Sequence, residues 1–282
     1  MGKIHRSKMT VMVGMMMGIL PIVHLSSSFA SADTPTAGQI WKEPVTGMEF
    51  VWVPEGCYEM GCGSWTSDCS SDEKPVHEVC LDGFWMGKTE VTQEQWKQVM
   101  GDNPSRFQNG DNYPVEHVTW PELKKFAEKL SSLSKDVYEF RLPSEAEWEY
   151  ACRSGGKPEK YAGGSSDLDQ VAWYHENSNR STHTVATKAP NGLGLFDMNG
   201  NVNEWCEDVY RSWAYGKHER NNPIFREKAE TAHAAVHRGG SWKSKPKASR
   251  CAARSYEMAI GRPPGLAPYR SDDTGVRLVR PK

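Results

Sequence analysis

The 282-residue chain reads as a protein of strands followed by helices, which gives way after Gly155 to short strands joined by ordered loops. Three observations carry that expectation. Two apolar runs near the start have strand character, three helix starts are marked by capping residues, and the second half is rich in Gly, Asn, Pro, Ser and Trp with little sustained periodicity.

The first segment has the form of an export signal. Lys3, Arg6 and Lys8 precede an apolar run from Met9 to Val23, and Ala30-Ser31-Ala32 supplies a small-residue cleavage pattern, so cleavage is expected after Ala32. A membrane anchor is the competing reading. The run is shorter than the ~20 residues of a spanning helix and contains Pro21, so no stable anchor is expected after cleavage. Residues 33–45 follow as an N-terminal extension and residues 46–282 as one domain, because no Pro/Ser-rich linker or repeat divides them. Loss of residues 1–32 removes three of the 34 Lys and Arg and none of the 36 acids, leaving 31 against 36, or a charge of -5. That balance offers nucleic acid no electrostatic footing.

Glu49 to Pro54 alternates apolar residues as a strand does, and Val76 to Leu81 leads similarly into Phe84-Trp85-Met86. A Gly-, Ser- and Asp-rich loop separates them. All seven cysteines (Cys57, Cys62, Cys69, Cys80, Cys152, Cys206 and Cys251) lie beyond the signal, where oxidising conditions favour bridges, and the odd number leaves at least one thiol free or paired between molecules. If the two flanking strands pair, Cys57 with Cys80 at the loop's base and Cys62 with Cys69 inside it is one arrangement; spacing does not fix connectivity. Zinc binding by the 57–80 cluster is the other reading, against which stands the lack of a common Cys-x2-Cys spacing.

Helices are expected from Thr92 with Gln95, Thr119 with Glu122 and Ser144 with Glu147, each a hydroxyl N-cap with its partner three residues on. The second carries Leu123, Phe126, Ala127 and Leu130 on one stripe, with Lys124, Lys125, Glu128 and Lys129 as a solvated face. Glu145, Glu147 and Glu149 resemble a paired-acid device but fit helix-start chemistry, and no catalysis is assigned to them. His233 and His237, four apart, read as surface histidines rather than ligands, and His117 and His175 as loop or core residues. No nucleophile elbow, P-loop or dinucleotide fingerprint is present. Most of the eleven tryptophans are expected to anchor core and loops.

Three longer motifs carry a resemblance. Arg141-Leu142-Pro143-Ser144-Glu145-Ala146-Glu147-Trp148-Glu149-Tyr150, Asn199-Gly200-Asn201-Val202-Asn203-Glu204-Trp205, and Arg238-Gly239-Gly240-Ser241-Trp242 leading to Arg250-Cys251-Ala252-Ala253-Arg254-Ser255 and Thr274-Gly275-Val276-Arg277-Leu278-Val279-Arg280 resemble the sulfatase-modifying-factor family. Its type members are formylglycine-generating enzymes. The resemblance covers roughly residues 46 to 280 and implies an irregular α+β fold related to C-type lectin-like domains, low in regular secondary structure, with a groove near the Gly-Gly-Ser loop.

It also implies a Cys152–Cys251 bridge and a structural calcium held by Asp197, Gly200, Val202 and Glu204; hard oxygen ligands on a tight turn suit that ion. A second calcium site of the relatives, around Val171 to Val185, is not carried over. Catalytic members hold copper through two cysteines after the Gly-Gly-Ser. Here the first falls on Ser244, and residues 241–250 contain no cysteine, so copper and cysteine oxidation are not expected. Gly239 and Gly240 are expected to make a tight turn.

Two functions stay open. One is an exported oxidoreductase, periplasmic or secreted, acting on a peptide or small molecule without copper-cysteine chemistry, its groove lined by Arg238, Ser241, Trp242, Ser244, Arg254 and Arg277. The other is a non-catalytic lectin-like module that binds a protein, peptide or glycan outside the cytoplasm.

Overall fold

Alternating burial starts the fold. In the computed structural model, which describes residues 1–2, 34–135, 137–227, 234–258 and 269–282, Phe50 to Val53 are all buried. The expected signal and cleavage site, and His233, lie outside the described residues. Residues Pro35–Lys282 form one compact unit.

A four-stranded sheet runs in the order β1-β2-β5-β12, from β1 (Ile40–Lys42), β2 (Glu49–Val53), β5 (Phe84–Gly87) and β12 (Val279–Pro281). Ile40–Lys42 falls in the stretch expected as an extension. It is instead an edge strand of the sheet, because Trp41 packs on Phe50, Trp85, Tyr138 and Phe140. The Glu49–Val53 strand pairs with Phe84–Gly87 and not with His77–Leu81. The partner of β4 (His77–Leu81) is β3 (Gly56–Met60), in whose register Cys57 faces Cys80. That short strand was not expected; it buries Tyr58 and Met60 and turns Cys57 and Glu59 outward.

All three expected capping boxes are present, on α1 (Gln93–Met100), α2 (Trp120–Leu133) and α3 (Glu145–Cys152). The expected α2 stripe is buried in full. Every residue of α3 is buried, because the second sheet covers it from one side and the β3-β4 hairpin from another. That sheet has the order β10-β9-β8-β11, from β8 (Asn203–Val209), β9 (Ala235–Arg238), β10 (Ser255–Glu257) and β11 (Thr274–Gly275). The short helix α4 (Leu168–Val171) leads into β6 (Ala172–Trp173), which pairs in parallel with β7 (Asn199–Gly200). Most of the described remainder of the second half is loop, as its composition predicts.

Three disulfides brace the fold: Cys57–Cys80 across β3 and β4, Cys62–Cys69 in the loop between them, and Cys152–Cys251 from the end of α3 to the second half. The cysteine cluster at 57–80 therefore offers bridged sulfur rather than thiolate for zinc. Cys206 is free and buried, and burial, with Glu145 and Asp208, raises its thiol well above the ordinary range.

Candidate functional site at the Gly-Gly-Ser loop

Gly239 and Gly240 turn with φ of 95° and 73°. A Cβ on Gly240 would come within 2.7 Å of Ser249 Oγ, so this turn requires glycine. The loop they open is fixed from below by the Asn199–Asn203 turn. Gly200 N donates to Gly239 O at 2.9 Å, Trp242 N to Asn201 O at 2.8 Å, and Asn203 N to Asp273 O at 2.8 Å. His175 N donates to Ser244 O at 3.0 Å and Ser178 Oγ to Trp242 O at 2.6 Å, so the 174–178 segment braces the other side.

Ser244 accepts from Ser241 N at 2.9 Å and lies 3.2 Å from Ser241 Oγ. Ser241 Oγ in turn donates to Asp273 Oδ2 at 3.1 Å. Asp273 also accepts from Asn203 Nδ2 at 3.2 Å, Lys243 Nζ at 3.0 Å and Ser271 Oγ. With Thr274 Oγ1 at 3.4 Å, five side-chain donors thus occupy this carboxylate, which leaves it poorly placed to take a proton from Ser244. Half-buried Trp242 meets Phe107 edge to face at 5.4 Å and donates its indole N–H to Asp272 O at 2.9 Å. Behind the loop, His237 is buried and its Nδ1 has no partner among the described residues; burial lowers its pKa to about 4, against an upward push from Asp273. A cavity of about 200 Å³ lies beside the rim, lined by Arg106, His117, Arg270, Ser271 and Asp272.

Of the six expected groove residues, Ser241, Trp242 and Ser244 come together here, and the three arginines do not. Arg238 donates to Glu149 at 2.6 Å and lies 3.3 Å from Glu145, Arg254 donates to both oxygens of Glu145 at 2.7 and 2.8 Å, and Arg277 pairs with Glu204 at 2.7 Å. Their exposures are 1, 8 and 0 %, so they hold the interior and line no groove. Burial pushes the Glu145 carboxyl up, and Arg254 and Arg238 outweigh it to hold the pKa below the ordinary value. The role of Glu145 and Glu149 as buried counter-charges was not expected. Their i,i+4 spacing on a helix was the available signal, since it places both on one face.

Asp197, Gly200, Val202 and Glu204 sit where the turn meets α3. Glu204 accepts from Trp148 Nε1 at 2.7 Å as well as from Arg277. Asp197 Oδ2 accepts from Ala186 N at 2.7 Å, and Glu90 accepts from Val202 N at 3.0 Å and Asn201 Nδ2 at 2.7 Å. Three buried carboxylates, Glu90, Asp197 and Glu204, therefore face Arg277 as their cation, with Glu204 shared between it and Trp148 of α3 and Glu90 bound to the turn. Burial and the neighbouring acids raise Glu90 well above its ordinary value; burial raises Asp197 to about 6. Hard oxygens with surplus negative charge fit calcium in donor chemistry.

Fold and site together define a disulfide-braced α+β domain whose glycine-turned loop presents hydroxyls and an indole over a buried ion-pair network. The chain belongs to the sulfatase-modifying factor enzyme 1-like domain family, whose description matches residues 36–282. It is 31% identical to the chaperone protein LppX of Paenibacillus barcinonensis over 77% of this chain and 86% of that one. It is 32% identical to the formylglycine-generating enzyme of Mus musculus, over 80% and 74%. It spans only 35% of the serine/threonine-protein kinase pkn1 of Chlamydia pneumoniae, at 31% identity over 73% of this chain. Among solved structures, PvdO from Pseudomonas aeruginosa superposes with a TM-score of 0.75 at 25% identity, over 88% of this chain and 100% of that one.

Proposed function

We propose that this chain is an extracytoplasmic member of its family that binds a peptide or small polar ligand at the Trp242 rim, without thiol-copper oxidation. One observation carries the reading: Ser244, which the family resemblance sets at a thiol's position, is tied through Ser241 to a carboxylate already engaged by five donors. Hydroxyls held in this way position a ligand and supply neither a soft metal ligand nor an activated nucleophile. Three disulfides support a location outside the cytoplasm, periplasmic or secreted. The likeness to a protein called a chaperone supports a peptide or protein ligand.

Calcium belongs to this proposal as a structural ion held by Asp197, Gly200, Val202 and Glu204. It would offset the surplus of buried negative charge and stiffen the turn whose amides and carbonyls hold the Gly239–Trp242 loop. The charge count around Arg277 supports it.

The test is to pan a displayed random-peptide library against the purified protein and measure the enriched peptides on wild type and Trp242→Ala. Binding weakened about tenfold or more by the substitution, with no oxygen uptake on a cysteine-containing sulfatase-type peptide, is expected. Turnover of that peptide would overturn the reading. A second reading, oxidation without copper-cysteine chemistry, is favoured by the near-complete family framework shared with a formylglycine-generating enzyme.

A further inference from the structure

We infer that the cavity beside Trp242 takes a carboxylate of the ligand, gripped by Arg106 and Arg270; this rests on the proposed binding at the Trp242 rim and names the chemical group the ligand carries. The wall bearing Arg106 is built. Gln93 Nε2 donates to Phe107 O at 2.8 Å and Gln93 Oε1 accepts from Asn103 Nδ2 at 2.9 Å. Buried Glu116 accepts from Phe107 N at 2.8 Å. The same stretch thus fixes both Phe107, against Trp242, and Arg106, at the cavity.

The opposite wall is equally fixed. His117 N donates to Ser271 O at 2.8 Å, and His117 O accepts from Arg270 Nη1 at 2.7 Å. Arg270 Nη2 donates to Glu122 at 2.6 Å.

Counting donors and acceptors decides what the cavity lacks. A guanidinium carries five N–H groups. Arg106 uses Nη1 on Asp272, which leaves Nε and Nη2 without an acceptor among the described residues, and Arg270 likewise leaves Nε. The carboxylate in the wall, Asp272, is already shared by Arg106 and by Lys243 at 3.8 Å. The unmet capacity is therefore cationic N–H, and the planar fork of arginine matches the two oxygens of a carboxylate. A phosphate dianion would meet the like charges of Asp272 and Asp273 more strongly than a monoanion does. The Arg106 side chain is 69 % exposed, so an incoming anion reaches it without opening the fold.

The test uses the full chain labelled with ¹⁵N. It is titrated with N-acetylglycine, its neutral amide, N-acetylaspartic acid α-amide as a side-chain carboxylate, and inorganic phosphate. N-acetylglycine or the side-chain acid should shift the Arg106, Arg270 and Trp242 signals. The neutral amide should bind about tenfold more weakly, and Arg106→Gln and Arg270→Gln should each weaken the acid by about tenfold, the scale of one lost charge-assisted bond. Whichever acid binds tighter identifies a terminal or a side-chain carboxylate as the source.

Equal binding of acid and amide, phosphate binding as tight as the acid, or acid binding indifferent to both substitutions would overturn the carboxylate pocket. Failure of the rim reading is distinguishable. Arginine-dependent acid binding with no Trp242-dependent peptide leaves the pocket standing alone, and Trp242-dependent peptide binding indifferent to the arginines leaves the rim standing alone.

Discussion

Arg238 and Glu149 meet at 2.6 Å with no side-chain exposure on either, although 89 residues separate them in the chain. The pair sits at the crossing of β9 and α3, next in the chain to the Gly239–Gly240 turn. A buried charge left without its partner is costly, whereas an exposed pair contributes little.

Arg238→Ala should therefore destabilise by about 3 kcal/mol in urea unfolding, since it removes one of the two buried cations on Glu149, leaving Arg153 at 3.0 Å, and weakens the hold on Glu145. Lys88→Ala, which breaks the exposed pair with Glu49, should cost less than about 1 kcal/mol. Equal effects of the two substitutions would sink the structural role of Arg238.

The Cys152–Cys251 bridge closes a span of 99 residues. In the chain-entropy account, replacing both cysteines by alanine should cost about 4–5 kcal/mol, and refolding under reducing conditions should fail or slow markedly. Thermal melts of the double variant check the first. The count of thiols checks the pairing: Cys206 should be the one cysteine alkylated in unreduced, denatured protein and should resist alkylation when native.

Chelation should lower the melting temperature of the purified protein and added calcium should restore it. Asp197→Ala should abolish that response, while Arg106→Gln should leave it intact. A melt indifferent to chelator and calcium would argue that Arg277 and protonation alone balance the three acids.

His237 gives a pH dependence whose sign is fixed by burial. Its pKa falls from about 6.5 in the unfolded chain to about 4 in the fold, so its stabilising neutral form is fully present above pH 6.5 and lost as pH falls toward 4. The loss should approach about 3 kcal/mol at most. Asp208, raised by burial to about 7, works the other way, because its contribution is present at low pH and lost as pH rises through 7. His237→Phe should therefore flatten the acid side of a urea-midpoint profile between pH 6.5 and 4.5. An unchanged profile would show that the imidazole is solvated rather than buried.

Legibility differed by element. The helix starts at Thr92, Thr119 and Ser144 could be read because a capping box is made by residues three apart, and the α2 stripe because its period is local. The Gly239–Gly240 turn was legible for the same reason. The pairing of β2 with β5, the strand at Gly56–Met60 and the membership of Ile40–Lys42 in the main sheet were not, because strand partners are chosen by packing between distant segments.

By itself, the order of residues determined the family framework, the helix caps, the half-chain of ordered loops and the absence of a thiol between Ser241 and Arg250, all of which depend on residue type and short spacing. Only the tertiary structure decided what the arginines do. Arg238, Arg254 and Arg277 look the same in sequence as Arg106 and Arg270, yet the first three meet buried carboxylates from α3 and β8 while the last two keep uncommitted N–H groups at the surface. Whether a charge is spent inside or offered to a ligand depends on which distant acid the fold brings within hydrogen-bond reach, and no local pattern encodes that distance.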